Sequence, residues 1–274
     1  MTHINTPFNY TGNKFKLLEQ ILPLFDYDKK YFVDMFCGGG SVYANVVDKY
    51  DKILVNDIIE DLIDVHKLLL FQPDIVVKNT RELCVGKENK EGFLELRTSY
   101  NESKSPSKLW ALMLCSTNNM IRFNKKFKFN QTYGNRSWND STTKKVELFV
   151  EHISQYKDKI TFSSKNFHQI NIKKPSMIYL DPPYLETEAG YNSYWSKDLD
   201  KKLYEYIINL DKSGSSFALS GIEGEHKNGK RSELIDRLLL DGYNHKVLDF
   251  DYEKVARNKN TKNSKEILIF NYNL

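Results

Sequence analysis

Long apolar runs are missing from this sequence. No stretch of about 18 apolar residues occurs, which argues against a membrane-spanning helix, and Met1–Pro7 lacks the apolar core of a secretory signal, so no export route is indicated. Cysteine is scarce. Cys37, Cys84 and Cys115 are odd in number and none falls in CxxC spacing, so neither a disulfide framework nor a zinc site is expected, and a reducing cytoplasm is the expected location. The six histidines are scattered, with no HExxH pair, and no bound metal is expected. Internal repeats and low-complexity linkers are absent too. The 274 residues therefore suit one large domain, or a domain carrying a smaller lobe.

What is present is an ordinary globular composition, 40% hydrophobic and 28% charged, with the charge unevenly placed. The net charge is +4, yet residues 101–150 hold nine Lys/Arg and three acids, a net +6 against −2 for the rest. A second basic run contains Lys254, Arg257, Lys259, Lys262 and Lys265. Two separated basic segments suit a surface for phosphates, although solvated loops have the same composition.

Short apolar or β-branched runs at Tyr31–Met35, Lys52–Asn56, Ile160–Ser163, Met177–Leu180, Ser216–Leu219, Lys246–Phe250 and Ile267–Asn271 predict strands. Helical patterns cover Lys14–Leu24, Ser41–Lys49, Glu60–Leu70, Lys197–Leu210 and Ser232–Leu239. Such alternation predicts an α/β fold, a mostly parallel sheet covered by helices on both faces. The last two strands have no helix between them and read as an antiparallel pair at one edge. Residues 71–145 break the rhythm and read as an inserted, mainly helical recognition lobe. Residues 1–70 and 146–274 would then form the catalytic domain.

Two segments carry chemistry. The first is Val33-Asp34-Met35-Phe36-Cys37-Gly38-Gly39-Gly40-Ser41, a glycine turn between a predicted strand and helix, followed 19 residues after Gly38 by Asp57 at the end of the next strand. Glycines permit close backbone approach to a ligand, and the acid suits two ribose hydroxyls. Tyr43 stands where a dinucleotide fingerprint needs its last glycine, so a nucleoside without a pyrophosphate fits better. A near-match to a phosphate loop, Gly224 to Lys230, is followed by Arg231 instead of Ser or Thr and is set aside.

The second is Met177-Ile178-Tyr179-Leu180-Asp181-Pro182-Pro183-Tyr184. A strand runs straight into an acid, two stiff prolines and an aromatic, which would project Asp181, the Pro182 carbonyl and Tyr184 at the carboxyl end of a sheet. Those groups suit an aryl amine. Two acceptors bind its two N–H groups, favour a pyramidal nitrogen and aim its lone pair at an electrophile. An ordinary proline turn after a strand is the plain alternative.

Together with Tyr10-Thr11-Gly12-Asn13-Lys14 near the start, these segments resemble, in order and over nearly the whole chain, the Dam-type group of DNA adenine-N6 methyltransferases. The resemblance implies a seven-stranded Rossmann-like methyltransferase sheet and S-adenosylmethionine as cofactor. It implies double-stranded DNA as partner, no membrane, and a flipped adenine as substrate. By motif, it places Tyr10, Lys14, Asp34, Phe36, Gly38, Asp57 and Asp181 at the cofactor. Asp181, Pro182 and Tyr184 fall at the target amine. The block Asn118 to Asn124 with Tyr133 to Arg136 resembles the group's DNA-reading lobe. Asn118, Asn119, Arg122, Lys125, Lys126, Lys128, Tyr133, Arg136, Lys259 and Lys262 are the expected DNA contacts, with GATC the implied site. Competing readings are an RNA adenine or protein glutamine methyltransferase, which often has Asn where Asp181 stands, and a catalytically silent binding module.

Overall fold

The computed structural model describes residues 3–8, 10, 12–124, 126–172, 174–184, 195–225, 231–249 and 264–274. Seven strands form one sheet in the order β3-β2-β1-β4-β5-β7-β6. In chain order these are β1 (Tyr31–Asp34), β2 (Lys52–Asn56), β3 (Ile160–Ser163), β4 (Met177–Leu180), β5 (Ser216–Gly224), β6 (Asn244–Val247) and β7 (Ser264–Phe270). β1 to β5 pair in parallel, and β7 runs antiparallel to both β5 and β6. The expected strands and the antiparallel edge pair are therefore present. β5 extends five residues beyond its expected end at Leu219, to Gly224.

Helices in chain order are α1 (Leu18–Ile21), α2 (Tyr43–Val46), α3 (Glu60–Phe71), α4 (Pro73–Leu83), α5 (Lys90–Glu102), α6 (Pro106–Cys115), α7 (Asp140–Ser154), α8 (Lys197–Lys212) and α9 (Glu233–Leu240). Local chemistry explains several boundaries. Asn89, Asn139 and Ser196 accept the N–H of Gly92, Thr142 and Leu199, capping α5, α7 and α8. Leu203, Ile207 and Leu210 recur at helical spacing and make the buried stripe of α8. The predicted helix Lys14–Leu24 is instead broken: 3-10 turns at Lys14–Leu17 and Leu22–Leu24 flank α1. Pro23 has no N–H to continue an α-helical ladder there.

Strand alternation divides the apolar residues between two cores. Phe32, Val55, Tyr179, Ala218 and Leu268 face a core shared with α1 to α7. Val33, Ile178, Leu180, Phe217 and Ile267 face another built largely with α8 and α9. Within 71–145, α4 and α6 pack on each other and on α3, α5 packs on α6, and their apolar residues are continuous with the first core. β4 is buried along its whole length, while β6 at the edge is exposed throughout.

The strand order reverses direction at β1. Its neighbours are β2 on one side and β4 on the other, so the loops leaving β1 and β4 diverge and open a crevice at their carboxyl ends. Asp34 pairs in register with Tyr179, which brings the glycine turn beside the Asp181 turn.

Candidate active site

A cavity of about 230 Å³ fills that crevice. Every residue expected at the cofactor or the target amine lines it: Tyr10, Lys14, Asp34, Phe36, Gly38, Asp57, Asp181, Pro182 and Tyr184. They arrive from the ends of β1, β2 and β4 and from the N-terminal segment. The loop after β3 adds Lys165, Asn166 and Phe167, which sequence reasoning passed over. The position of that loop at a parallel strand's carboxyl end was the available signal.

The glycine turn is forced by its surroundings. Gly38 has φ +46°, and a Cβ there would lie 2.8 Å from the Tyr10 ring. Its N–H donates to Asp57 Oδ2 at 3.0 Å, and its carbonyl meets His66 Nε2 at 2.9 Å. A carbonyl only accepts, so Nε2 carries the proton, and Nδ1 accepts from the Tyr43 hydroxyl at 3.0 Å. Burial pulls the His66 pKa down to about 4, so the ring stays neutral and keeps this tautomer. His66 lies on the buried face of α3 and gave no sequence signal of its own, because a histidine in an apolar stripe reads as core.

Asp57 also accepts the Ile59 N–H on Oδ1 at 3.0 Å. Burial raises its pKa, opposed by the N–H groups of Ile59, Gly38 and Ile58. Each oxygen retains a lone pair for a further donor, which suits two ribose hydroxyls. Asp34 is 1% exposed; its Oδ2 accepts the Tyr43 N–H at 3.1 Å, and its Oδ1 has no partner among the described residues. Burial pushes its pKa up to about 8, the Tyr43 N–H opposing and the charges of Asp181 and Asp57 adding to the rise. A buried carboxyl with one orphaned oxygen on a cavity wall calls for a cationic donor. The α-ammonium of S-adenosylmethionine is such a group, and the residues present fit that cofactor.

Lys14 has a partner that the sequence does not announce. Its ammonium is spent on Asp181 Oδ1 and Oδ2, at 2.8 and 2.7 Å, and on the Gly12 carbonyl at 3.1 Å. Lys14 thus holds the Asp181 carboxylate while lining the cavity expected to take the cofactor. Tyr184 donates its hydroxyl to Asp181 Oδ1 at 3.2 Å, and its ring centroid lies 5.5 Å from Lys14 Nζ. Oδ1 thus accepts two hydrogen bonds among these contacts. Oδ2 accepts one and keeps a lone pair for a substrate N–H. Phe36, Phe167 and Trp195 complete an aromatic wall, each ring 5.7 Å from the other two.

The expected DNA contacts fall into different kinds. Lys126 and Lys128 are exposed on a hairpin tip, and Asn118 is exposed at φ +57°. Asn119 is not offered to DNA: it is 6% exposed, its amide donates to the Leu114 carbonyl, and its Oδ1 accepts from Arg136 at 2.6 Å. It positions Arg136, which is itself exposed. Arg122 clasps Asn130 through Nε and a terminal nitrogen, at 3.0 and 2.8 Å, so the fork expected to read a base edge is engaged within the hairpin. Tyr133 donates its hydroxyl to the Gly86 carbonyl at 3.1 Å and packs its ring on Phe93. Lys125, Lys259 and Lys262 lie outside the described residues, as does Thr11 of the N-terminal motif.

Residues 10–263 match the family described as D12 class N6 adenine-specific DNA methyltransferase. The chain belongs to this family. Membership implies S-adenosylmethionine as the cofactor, in accord with the Asp34 and Asp57 geometry. The family is broader than the Dam-type group that the motifs resemble. "Modification methylase StsI" of Streptococcus sanguinis is 34% identical over 98% of this chain, and "Type II methyltransferase M.FokI" of Planomicrobium okeanokoites is 32% identical over 99%. The chain spans only 43% of the length of each. A "DNA adenine methylase" of Vibrio cholerae is 29% identical over 68% of both chains. Among the described residues, no cluster of three or more His, Cys, Asp or Glu is arranged to hold a metal ion, and no helix is long and apolar enough to cross a membrane.

Proposed function

We propose that this chain transfers the methyl group of S-adenosylmethionine to the N6 amine of an adenine in duplex DNA, with the adenine rotated out of the helix. The observation that carries the reading is Asp181: its carboxylate stands at the end of β4 in the cavity that Asp34 and Asp57 also line, and only its Oδ2 has room for an N–H. The cofactor supplies an electrophilic methyl group on a sulfonium. Asp181 Oδ2 and the Pro182 carbonyl each hold one N6 hydrogen. The amine nitrogen would then give up conjugation with the ring and take the methyl as its bond to sulfur breaks and a neutral thioether departs; the positive charge that develops beside the Asp181 anion is relieved when one N6 proton is lost to solvent. Lys14 and Tyr184 keep the carboxylate oriented, which removes reorganisation from the step. An adenine stacked in a duplex does not reach a cavity of this kind, so extrusion is part of the reaction.

For the finer specificity, we commit to a guanine-containing site read in part through Arg136, with GATC the first sequence to test. The Dam-type resemblance of the Asn118–Asn124 block supports GATC. The higher identity to two modification enzymes supports a role in a restriction-linked pair. The experiment is transfer of labelled methyl from S-adenosylmethionine to a panel of duplexes, with RNA and protein acceptors alongside, followed by digestion to nucleosides. N6-methyladenine confined to one duplex sequence is the expected product. Label in RNA or protein and none in DNA rejects the reading, and label in no acceptor at all points to a silent binding module.

A further inference from the structure

Phe127 stands at the tip of the hairpin formed by Phe123 to Phe129, which a bridge between those two residues closes. The turn is tight: Asn124 N–H donates to the Lys128 carbonyl and Phe127 N–H to the Asn124 carbonyl, both at 2.9 Å. Asn124 Oδ1 accepts the N–H groups of Lys126 and Lys128. Phe123 and Phe129 are buried and meet edge to face at 5.9 Å, which anchors the hairpin to the core. Phe127 points the other way. It is 55% exposed and adopts φ +54°, a left-handed conformation that glycine or asparagine takes far more readily. Its ring reaches the cavity that holds Asp181 and Tyr184. Among the described residues of 71–145, it alone lines that cavity. The turn would form more easily with glycine, and the ring gains no core packing. An apolar ring kept there against both preferences needs a partner that arrives later.

Resting on the adenine reading above, we propose that Phe127 is a positioning residue that packs on the extruded base at the mouth of the cavity and holds it out of the duplex. Lys126 and Lys128 flank it and meet the phosphates beside the target. The hairpin thereby couples DNA docking to base capture: Lys126 and Lys128 hold the duplex backbone against the tip, where the ring already stands at the cavity to cover the base. Stacking on an aromatic face is sequence-tolerant, so the residue retains the base without reading it.

The test compares wild type, Phe127→Gly and Phe127→Trp on two short duplexes carrying the adenine site that wild type methylates. In one the adenine is paired with thymine, and in the other it faces an abasic position. Phe127→Gly preserves the left-handed turn, and a melting temperature no lower than wild type confirms that the hairpin is intact. Single-turnover methylation of the paired duplex is expected to fall about tenfold or more in Phe127→Gly. The deficit should shrink several-fold opposite the abasic position, where extrusion costs little, and Phe127→Trp should retain most of the rate. With 2-aminopurine at the target, the fluorescence rise on binding should also be lost in Phe127→Gly. Equal deficits on both duplexes, or no deficit on the paired one, overturn the inference while leaving the adenine reading intact. Wild-type protein that methylates adenine in no duplex of the panel above overturns that reading and this inference with it.

Discussion

Replacing Asp34 by Asn isolates the contribution of one buried carboxyl to cofactor binding. In the free protein, burial holds its pKa at about 8, with one oxygen unpartnered. At about pH 7 it is therefore mostly protonated, and at about pH 9 mostly ionised. Pairing with the cofactor's ammonium requires the carboxylate, so binding at about pH 7 should expel a proton from this group; near pH 9 the release fades and turns toward uptake, because the carboxyl is then largely ionised and the free α-amine, with an ordinary pKa of about 8, must gain a proton. The same shift fixes the sign for stability. A carboxyl whose folded pKa is raised contributes stability that is full below the unfolded value of 3.8 and lost as pH rises through about 8. Between about pH 4 and pH 7 the free protein should thus lose at most about 4 kcal/mol on this account. The cofactor should restore part of it. Titration calorimetry with S-adenosylmethionine in buffers of different ionisation enthalpy reads the proton release directly, and thermal melts across the same pH range read the slope. Asp34→Asn should release no proton at either pH, bind the cofactor more weakly and melt with a flatter pH profile. Proton release absent in wild type, or undiminished in the variant, would refute the assignment of Asp34 to the ammonium.

Further outcomes follow from the same geometry. Asp57→Ala should weaken cofactor binding by about 1.5–3 kcal/mol while leaving duplex binding nearly unchanged, since only the ribose acceptor and the Gly38 and Ile59 N–H partners are lost; calorimetry and a DNA shift assay separate the two. Asp181→Asn should lower methyl transfer by about 10²-fold or more with cofactor affinity preserved. Asp181→Ala should in addition lower the melting temperature, because it strands the Lys14 ammonium, whose side chain is 6% exposed. Neutralising Lys126 and Lys128 together should reduce the slope of log affinity against log salt by about two on every duplex, whatever its sequence. Arg136→Ala should cost about 1–3 kcal/mol on the methylated sequence and less on a scrambled one, whereas Arg122→Ala should lower the melting temperature and weaken both, since its guanidinium clasps Asn130.

The framework of the site was legible because each of its parts is local. A glycine turn after an apolar strand, an acid at the end of the next strand, and two prolines after a third all announce themselves within about ten residues. Parallel strands then deliver all three to one edge of the sheet, so correct strand assignment was enough to bring Asp34, Asp57 and Asp181 together. Pairing across the chain was not legible. Lys14 and Asp181 are 167 residues apart, and His66 supports Gly38 from 28 residues away. Nothing in the composition near Lys14 says that its ammonium will be consumed by a carboxylate, and only the fold brings the two together.

The DNA-facing residues expose the same limit from the other side. Arg122, Asn119 and Tyr133 carry the right donors, and sequence alone distributes them outward as contacts. Asn119 donates to the Leu114 carbonyl, Arg122 to Asn130 and Tyr133 to the Gly86 carbonyl, so these donors hold the hairpin and the segments beside it in shape. Among the described residues, what remains exposed at its tip are Lys126, Lys128 and the one ring that a turn does not want. Polar residues there build the platform, and the groups proposed to meet DNA are the ones the platform has no use for. By that logic Phe127 is better evidence of contact than Arg122. Its position satisfies no internal need, whereas every nitrogen of Arg122 bound to Asn130 already has a structural reason to be there.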